Sequence, residues 1–174
     1  GCDSVLARMN RKYDSERYYE SVRLLNEAYE TPGITTDLIV GFPGETEEEF
    51  QQTLAFIRRC AFSAMHIFPY SRRPGTPADG MPGQILNSVK EERAHRAQQA
   101  ALEMEAAYLD RWVGRTVPVL FEEERDGLWR GHTTRYSEVA APSGENLHNQ
   151  LRQVYIIGRA GNILQGELCE GQEK

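Results

Sequence analysis

The most constraining feature of the sequence is an apolar run that carries a carboxylate and ends in glycines and a proline. It reads 35-TTDLIVGFPGET-46. Its apolar and β-branched residues predict a strand over residues 34–40. Because side chains alternate along a strand, Thr35 and Asp37 share one face, and Leu38 and Val40 share the other. We expect helices to cover the apolar face, and the polar face to line a barrel interior or a sheet crevice.

The first half of the chain alternates predicted helices and strands. Helical spacing of apolar residues predicts helices over residues 3–10 and 14–30, the second capped by Asp14 or Ser15. Thr46 and Glu49 form a capping-box pattern that opens a third helix, and residues 64–70 predict the next strand. This alternation indicates βαβ units, a parallel sheet and the α/β class.

The second half has a different character. A segment rich in proline and glycine separates it, and a second capping-box pattern at Ser88 opens a long connecting helix. Three β-rich runs follow, over residues 115–123, 128–141 and 151–168, and predict a small all-β barrel of about 60 residues. The predicted parts are an α/β unit over 1–87, a connecting helix over 88–112, a barrel over 113–170 and a tail over 171–174.

Composition excludes several classes of protein. The chain has 174 residues, 40% hydrophobic and 26% charged, as in ordinary globular proteins. No apolar run approaches the length of a transmembrane helix, so we expect no membrane partner. The three cysteines, Cys2, Cys60 and Cys169, are too far apart for a disulfide framework or a metal cluster, which favours the cytoplasm. The chain starts at Gly1 without a methionine, which is typical of a fragment, although an expression product would look the same.

The carboxyl ends of the two predicted strands carry the candidate ligand-binding residues. Gly41 and Gly44 allow a ligand to approach the backbone closely, and ligands of α/β folds bind at this edge. The second strand leads into 66-HIFPYSRRPGTPADGMP-82, which places Tyr70 and Arg73 at the same edge. The loop has neither the lysine of a P-loop nor the glycine spacing of a dinucleotide site. The alternative is a structural hydrogen-bond acceptor at Asp37, followed by a tight turn.

Several segments together resemble the radical S-adenosylmethionine tRNA methylthiotransferases. These are 8-RMNRKY-13, 35-TTDLIVGFPGETEEEF-50, 68-FPYSRRPGTPA-78 and 131-GHTTRYSEV-139. The resemblance covers essentially the whole chain and implies the end of a TIM-like radical-SAM barrel followed by a TRAM domain, a small β-barrel that holds tRNA. The stretch from His66 to Ser71, with Met81 and Pro82, looks most like the branch that acts on N6-threonylcarbamoyladenosine at tRNA position 37. The isopentenyladenosine and ribosomal-protein branches are the alternatives.

The resemblance also implies cofactors and site residues. The family uses S-adenosylmethionine and two [4Fe–4S] clusters held by cysteine thiolates, one set in a C-x-x-x-C-x-x-C run that this sequence lacks. We therefore expect the clusters in a missing N-terminal half, and no activity from this chain alone. The residues expected on the S-adenosylmethionine side are Thr35, Asp37, Gly41, Phe42, Gly44 and Glu45. Glu45 could instead serve only the acidic first turn of its helix.

Tyr70 and Arg73 are expected to contact the substrate base or its phosphate, unless they are a packing tyrosine and a solvated arginine. In the barrel, aromatic and basic residues predict RNA contacts. They are Trp129, Arg130, His132, Arg135 and Tyr136. Trp129 and Tyr136 could equally be core residues, and the net charge of −6 gives RNA binding no global support. A standalone TRAM-type RNA-binding module remains the competing interpretation.

Overall fold

The computed structural model describes residues 1–169, so the predicted tail and the last predicted barrel residue lie outside the described part. The chain divides into two compact units, one of residues 1–104 and one that begins at Glu105. The division falls inside a helix, and each unit has its own hydrophobic core. The boundaries predicted at residues 87 and 112 remain predictions.

The first unit is a mixed α/β structure. Its elements are α1 (Asp3–Arg8), α2 (Ser15–Ala28), β1 (Thr35–Val40), α3 (Glu47–Cys60), β2 (Ala64–Pro69), a 3₁₀ turn (Pro77–Gly80) and most of α4 (Asn87–Asp110). The strands β1 and β2 pair in parallel, with Asp37 opposite His66 and Ile39 opposite Phe68. The predicted alternation and parallel pairing are therefore confirmed. Two strands do not make a barrel, and the TIM-like part of the prediction stays a prediction.

Local sequence signals explain where these helices begin. The Thr46 hydroxyl accepts a hydrogen bond from the backbone N–H of Glu49, and the Glu49 carboxylate accepts one from the N–H of Thr46. This is the predicted capping box. The Asp14 carboxylate caps α2 by accepting from the N–H of Arg17. α4 begins at Asn87, one residue before the predicted cap at Ser88.

The apolar face of β1 is buried as predicted. Val40 and Phe50 are fully buried, and Leu38 is 8% exposed. They share one core with residues of α2, α3 and α4. Each large apolar side chain buried in this way stabilises the fold by about 1.5–3 kcal/mol. The opposite face of β1 is left open, with Thr35 and Asp37 exposed.

The second unit is the small barrel that the sequence predicted. Its strands are β3 (Thr116–Arg125), β4 (Leu128–Thr133), β5 (Glu138–Ala141), β6 (Leu151–Ala160) and β7 (Ile163–Leu168). They close in the order β3-β4-β5-β7-β6. The three predicted β-rich runs give five strands because the second and third each turn back on themselves. Among the described residues, no helix is long and apolar enough to cross a membrane.

Candidate functional site

The first unit contains a cavity of about 680 Å³ at the open side of β1. This volume lies within the usual range of small-molecule sites. The cavity brings together four of the predicted site residues: Asp37, Glu45, Tyr70 and Arg73. The other four predicted for the same region do not line it: Thr35, Gly41, Phe42 and Gly44. The two strand ends therefore converge on one site, but only part of the glycine loop faces it.

Asp37 gives this cavity an exposed carboxylate. Its side chain is exposed on β1, and within residues 1–169 its carboxylate has no hydrogen-bond or ion-pair partner. The neighbouring Thr36 hydroxyl, by contrast, is 2.8 Å from the Tyr18 hydroxyl. The alternative of a structural acceptor at Asp37 is therefore not supported. A free carboxylate can accept hydrogen bonds from ribose hydroxyls or from an amino group.

The two loop glycines are required by the packing of the chain itself. Gly41 and Gly44 have φ angles of 71° and 74°, in the left-handed region that glycine tolerates. A Cβ on Gly41 would lie 2.5 Å from Cγ of Lys90. The N–H of Gly44 donates to the carbonyl of Gly83 at 2.8 Å. The close approach that the sequence suggested for a ligand is thus made by other parts of the protein, and a cofactor contact at these glycines remains a prediction.

Glu45 is buried and holds the loop in place. Its carboxylate accepts from the N–H of Gly41 at 2.7 Å and from Nη1 of Arg93 at 2.8 Å. Its side chain is 2% exposed and that of Arg93 is 5% exposed. Burial raises the pKa of the Glu45 carboxyl, although the Gly41 N–H and the Arg93 charge oppose that rise. Glu45 is therefore mainly a positioning residue of the loop.

Phe42 and Tyr70 form an aromatic pair beneath the loop that follows β2. Their rings meet edge to face with centroids 5.3 Å apart, and Phe42 is buried. The Tyr70 N–H donates to the carbonyl of Val40 at 2.8 Å, which ties the end of β2 to β1. The phenol oxygen of Tyr70 is buried, and no described residue bonds to it. Such an orphan group points to a missing partner.

Arg73 and Arg8 have different surroundings. The Arg73 side chain is exposed, and none of the residues described here pairs with its guanidinium. Arg8 instead makes two hydrogen bonds to the Glu49 carboxylate, at 2.9 and 2.6 Å, and reaches the carbonyl of Gly44 at 3.4 Å. Arg8 therefore ties α1 to the glycine loop and to α3, while Arg11 lines the cavity.

In the barrel, the turn between β4 and β5 carries the exposed aromatic residue. Tyr136 is 89% exposed and has a φ of 61°. A bulky residue in this backbone region is an outlier, and such outliers cluster at functional sites. His132 lies beside it, with ring centroids 6.0 Å apart, and the His132 Nδ1 is 2.8 Å from a Glu122 carboxylate oxygen. Arg135 is on the same turn, with its guanidinium 5.1 Å from the Trp112 ring centroid.

Two of the predicted RNA-contact residues lie elsewhere. Trp129 is 7% exposed and belongs to the barrel core, so its ring has no free face for a base. The prediction of a stacking role for Trp129 is corrected on that ground. The Arg130 side chain is only 19% exposed and faces Glu138 at 3.4 Å. The turn therefore offers His132, Arg135 and Tyr136, while Arg130 lies largely beneath the surface.

The sequence of the chain is similar to those of known proteins. Residues 1–57 match the family described as the radical SAM superfamily. Over 162 residues, or 90% of this chain, the sequence is 36% identical to the threonylcarbamoyladenosine tRNA methylthiotransferase MtaB of Bacillus subtilis. It is 35% and 45% identical to the tRNA-2-methylthio-N(6)-dimethylallyladenosine synthases of Aquifex aeolicus and Bacillus pumilus, over 98% and 97% of the chain.

The chain is therefore similar to radical SAM tRNA methylthiotransferases over nearly its whole length. It spans about a third to two fifths of the length of these relatives: 36%, 39% and 34%. Radical SAM families use S-adenosylmethionine and iron–sulfur clusters. No group of three or more His, Cys, Asp or Glu within residues 1–169 could hold a metal ion, so the described residues do not fit a cluster. At the cavity, the Asp37 carboxylate has no hydrogen-bond or ion-pair partner among the described residues and could accept hydrogen bonds from a polar ligand.

The sequence analysis did not predict two residues that position the glycine loop and that lie far from it in the sequence. Arg93 and Lys90 come from α4, more than 40 positions after the glycine loop. The only signal in the sequence was the acidic residue at position 45 itself, which needs a cation if it is buried. Nothing local to Glu45 indicates that Arg93 supplies it.

Proposed function

We propose that this chain is part of an enzyme that adds a methylthio group to C2 of N6-threonylcarbamoyladenosine at tRNA position 37. Similarity to the methylthiotransferases supports the reaction class, and the motif from His66 to Ser71 supports the branch. In this proposal the cluster ligands lie outside the described residues, and this chain alone is inactive. The free thiols of Cys2, Cys60 and Cys169 favour the cytoplasm.

The observation that carries the proposal is the unpaired carboxylate of Asp37 in the cavity that Tyr70 and Arg73 also line. Asp37 would hold hydroxyl or amino groups of S-adenosylmethionine, and Tyr70 and Arg73 would contact the substrate nucleotide. When bound, the cofactor and clusters supply the radical and sulfur chemistry. The chain's own residues bind and orient, and the apolar lining, Ile39 and Phe68 among it, excludes water.

The turn of the barrel would hold the tRNA. Tyr136 offers an exposed ring for stacking, Arg135 adds a charge, and His132 adds a second ring. Base stacking on aromatic residues contributes about 1–3 kcal/mol per base. Residues Glu122 to Glu124 are acidic and would repel RNA. The tRNA would therefore have to bind a local basic face that is separate from them.

The proposal is tested with the complete methylthiotransferase that carries this sequence. D37N should lower formation of the methylthiolated nucleoside, measured by mass spectrometry of digested tRNA, by about 10-fold or more, because one charged hydrogen bond to the cofactor is lost. D126N is the matched control, since Asp126 lies in an exposed turn of the barrel where asparagine tolerates its φ of 54°. Full activity of D37N would contradict the assignment.

A second candidate is methylthiolation of the dimethylallyladenosine (isopentenyladenosine) substrate. It is favoured by the 45% identity to the Bacillus pumilus synthase, which exceeds the 36% identity to the Bacillus subtilis threonylcarbamoyladenosine enzyme. The same mass-spectrometric assay separates the two, because the products differ in mass. A standalone RNA-binding module remains the interpretation if no reaction is found and the chain alone binds tRNA.

A further inference from the structure

A second, smaller cavity lies where β2 runs into the following loop. Its volume is about 430 Å³, and it is lined by Pro69, Tyr70, Ser71, Arg72, Asn87, Lys90 and Glu91. The first turn of α4 forms one wall, so the positive end of a 24-residue helix adjoins it. The function described above leaves this cavity without a role.

Lys90 is the unusual residue of this cavity. It is 6% exposed, and among residues 1–169 it forms no ion pair. Its ammonium has one long hydrogen bond, to Oδ1 of Asn87 at 3.4 Å, and lies 5.4 Å from the centroid of the Tyr70 ring. A buried charge without a counter-ion is unfavourable, and lysine is almost never fully buried unless paired.

The protein makes specific room for this lysine. The stem of Lys90 occupies the space that a side chain on Gly41 would fill, with Cγ 2.5 Å from that Cβ position. The buried phenol oxygen of Tyr70 also lacks a partner in the described part of the chain. Two buried donors on one cavity, both short of acceptors, indicate a ligand that is rich in acceptors and negatively charged.

The other charged side chains of the lining, Arg72 and Glu91, are both exposed. The Nε of Arg72 donates to Asp79 at 2.8 Å, which orients its guanidinium and offsets its charge. Glu91 is exposed and has no ion pair within the described residues. Lys90 is therefore the buried cation of the cavity, whose lining also includes Ser71 and Asn87.

We propose that Lys90, Tyr70 and Ser71 form a binding site for one phosphate group. The inference rests on the proposed tRNA substrate for the source of that phosphate, a phosphodiester of the RNA backbone. A phosphodiester carries one negative charge and two free acceptor oxygens, which match one ammonium and one or two hydroxyl donors. A free phosphate ion has the same chemistry and is the other source.

The test compares the chain with its K90M variant, which keeps the length of the stem and removes the ammonium. Without ligand, K90M should keep or raise the melting temperature, because an unpaired buried charge is removed. Inorganic phosphate at constant ionic strength should raise the melting temperature of the wild type more than that of K90M. Binding of tRNA should weaken by about 5- to 10-fold in K90M, and the slope of log K against log salt should fall by about one.

R58Q is the control, because it removes one exposed positive charge from α3. It should change neither the phosphate response nor the salt slope by the amount seen with K90M. If the wild type does not bind tRNA, but phosphate raises its melting temperature and does not raise that of K90M, the site stands with free phosphate as its ligand. If K90M keeps both the phosphate response and the tRNA affinity, or if its melting temperature falls sharply, Lys90 is structural and the inference is overturned.

Discussion

The buried ion pair between Glu45 and Arg93 gives the sharpest stability prediction. Replacing Arg93 with methionine fills most of its volume but removes both hydrogen bonds to Glu45, one to the carboxylate at 2.8 Å and one to the carbonyl at 3.1 Å. The Glu45 carboxylate, 2% exposed, would keep only the Gly41 N–H at 2.7 Å. Removing one partner of a buried pair costs about 3–5 kcal/mol. We expect R93M to destabilise the first unit by that amount at pH 7.

The loss of stability caused by R93M should increase with pH. Burial already raises the pKa of Glu45, and removal of the Arg93 charge raises it further. A carboxyl with a raised folded pKa favours the folded state below its unfolded pKa of about 4.5 and loses that contribution as pH rises through the folded value. R93M should therefore be closest to the wild type below about pH 4.5 and furthest from it near neutrality.

The assay can use the positions of the two tryptophans. Trp112 and Trp129, the only tryptophans in the sequence, both belong to the second unit, while α2 and α3 lie in the first. In urea, far-UV circular dichroism follows mainly the first unit and tryptophan fluorescence follows the second. R23M, which breaks the exposed pairs of Arg23 with Glu20 and Glu27 on α2, should leave both midpoints unchanged. A cost of R93M below about 1 kcal/mol, or one independent of pH, would refute the argument.

Three further predictions concern single contacts. The hydrogen bonds from Arg8 lower the pKa of Glu49 to about 2. The stability that this ion pair contributes is therefore present above about pH 4.5 and is lost as the pH falls toward 2. E49Q should lower the free energy of unfolding in urea at pH 7 by about 1–2 kcal/mol, after allowance for the 34% exposure of Arg8. G131A should destabilise the barrel by about 3 kcal/mol, because the added Cβ would lie 2.2 Å from the Leu120 carbonyl oxygen. G158A is the control: the space around Gly158 is open, so its unfolding midpoint, followed by tryptophan fluorescence, should not change. Y136A should weaken tRNA binding by about 5- to 150-fold in fluorescence anisotropy, and Y155A, the control at a 45% exposed tyrosine, should not.

The sequence predicted those parts of the fold that rest on local signals. The alternation of Asp37 with Leu38 and Val40 located the strand and its buried face, because a period of two is set by the backbone alone. The capping box at Thr46 was readable because its partners are three residues apart. The same reasoning failed to divide residues 128–141, since the turn there contains no glycine or proline and is closed by Tyr136 in the left-handed region.

The candidate site was predicted only in outline, because its organising contacts are long-range. The sequence placed Asp37 and Tyr70 at the same edge from the order of the strands. It gave no indication that Arg93 would meet Glu45, since that choice depends on how α4 packs on the sheet. For Trp129, the sequence did not distinguish a core position from a surface position. The structure places its side chain in the barrel core.

The internal packing of the glycine loop determines which substitutions can test cofactor binding. Gly41 makes room for Lys90, and the N–H of Gly44 bonds to Gly83, so neither glycine needs a ligand to explain it. A G41A variant would displace Lys90 and strain the backbone at once, and loss of activity would not identify a cofactor contact. Asp37 differs because its side chain is exposed and its carboxylate has no hydrogen-bond or ion-pair partner in residues 1–169. D37N should therefore leave the urea midpoint unchanged while activity falls, and only this combination separates a ligand contact from a structural role.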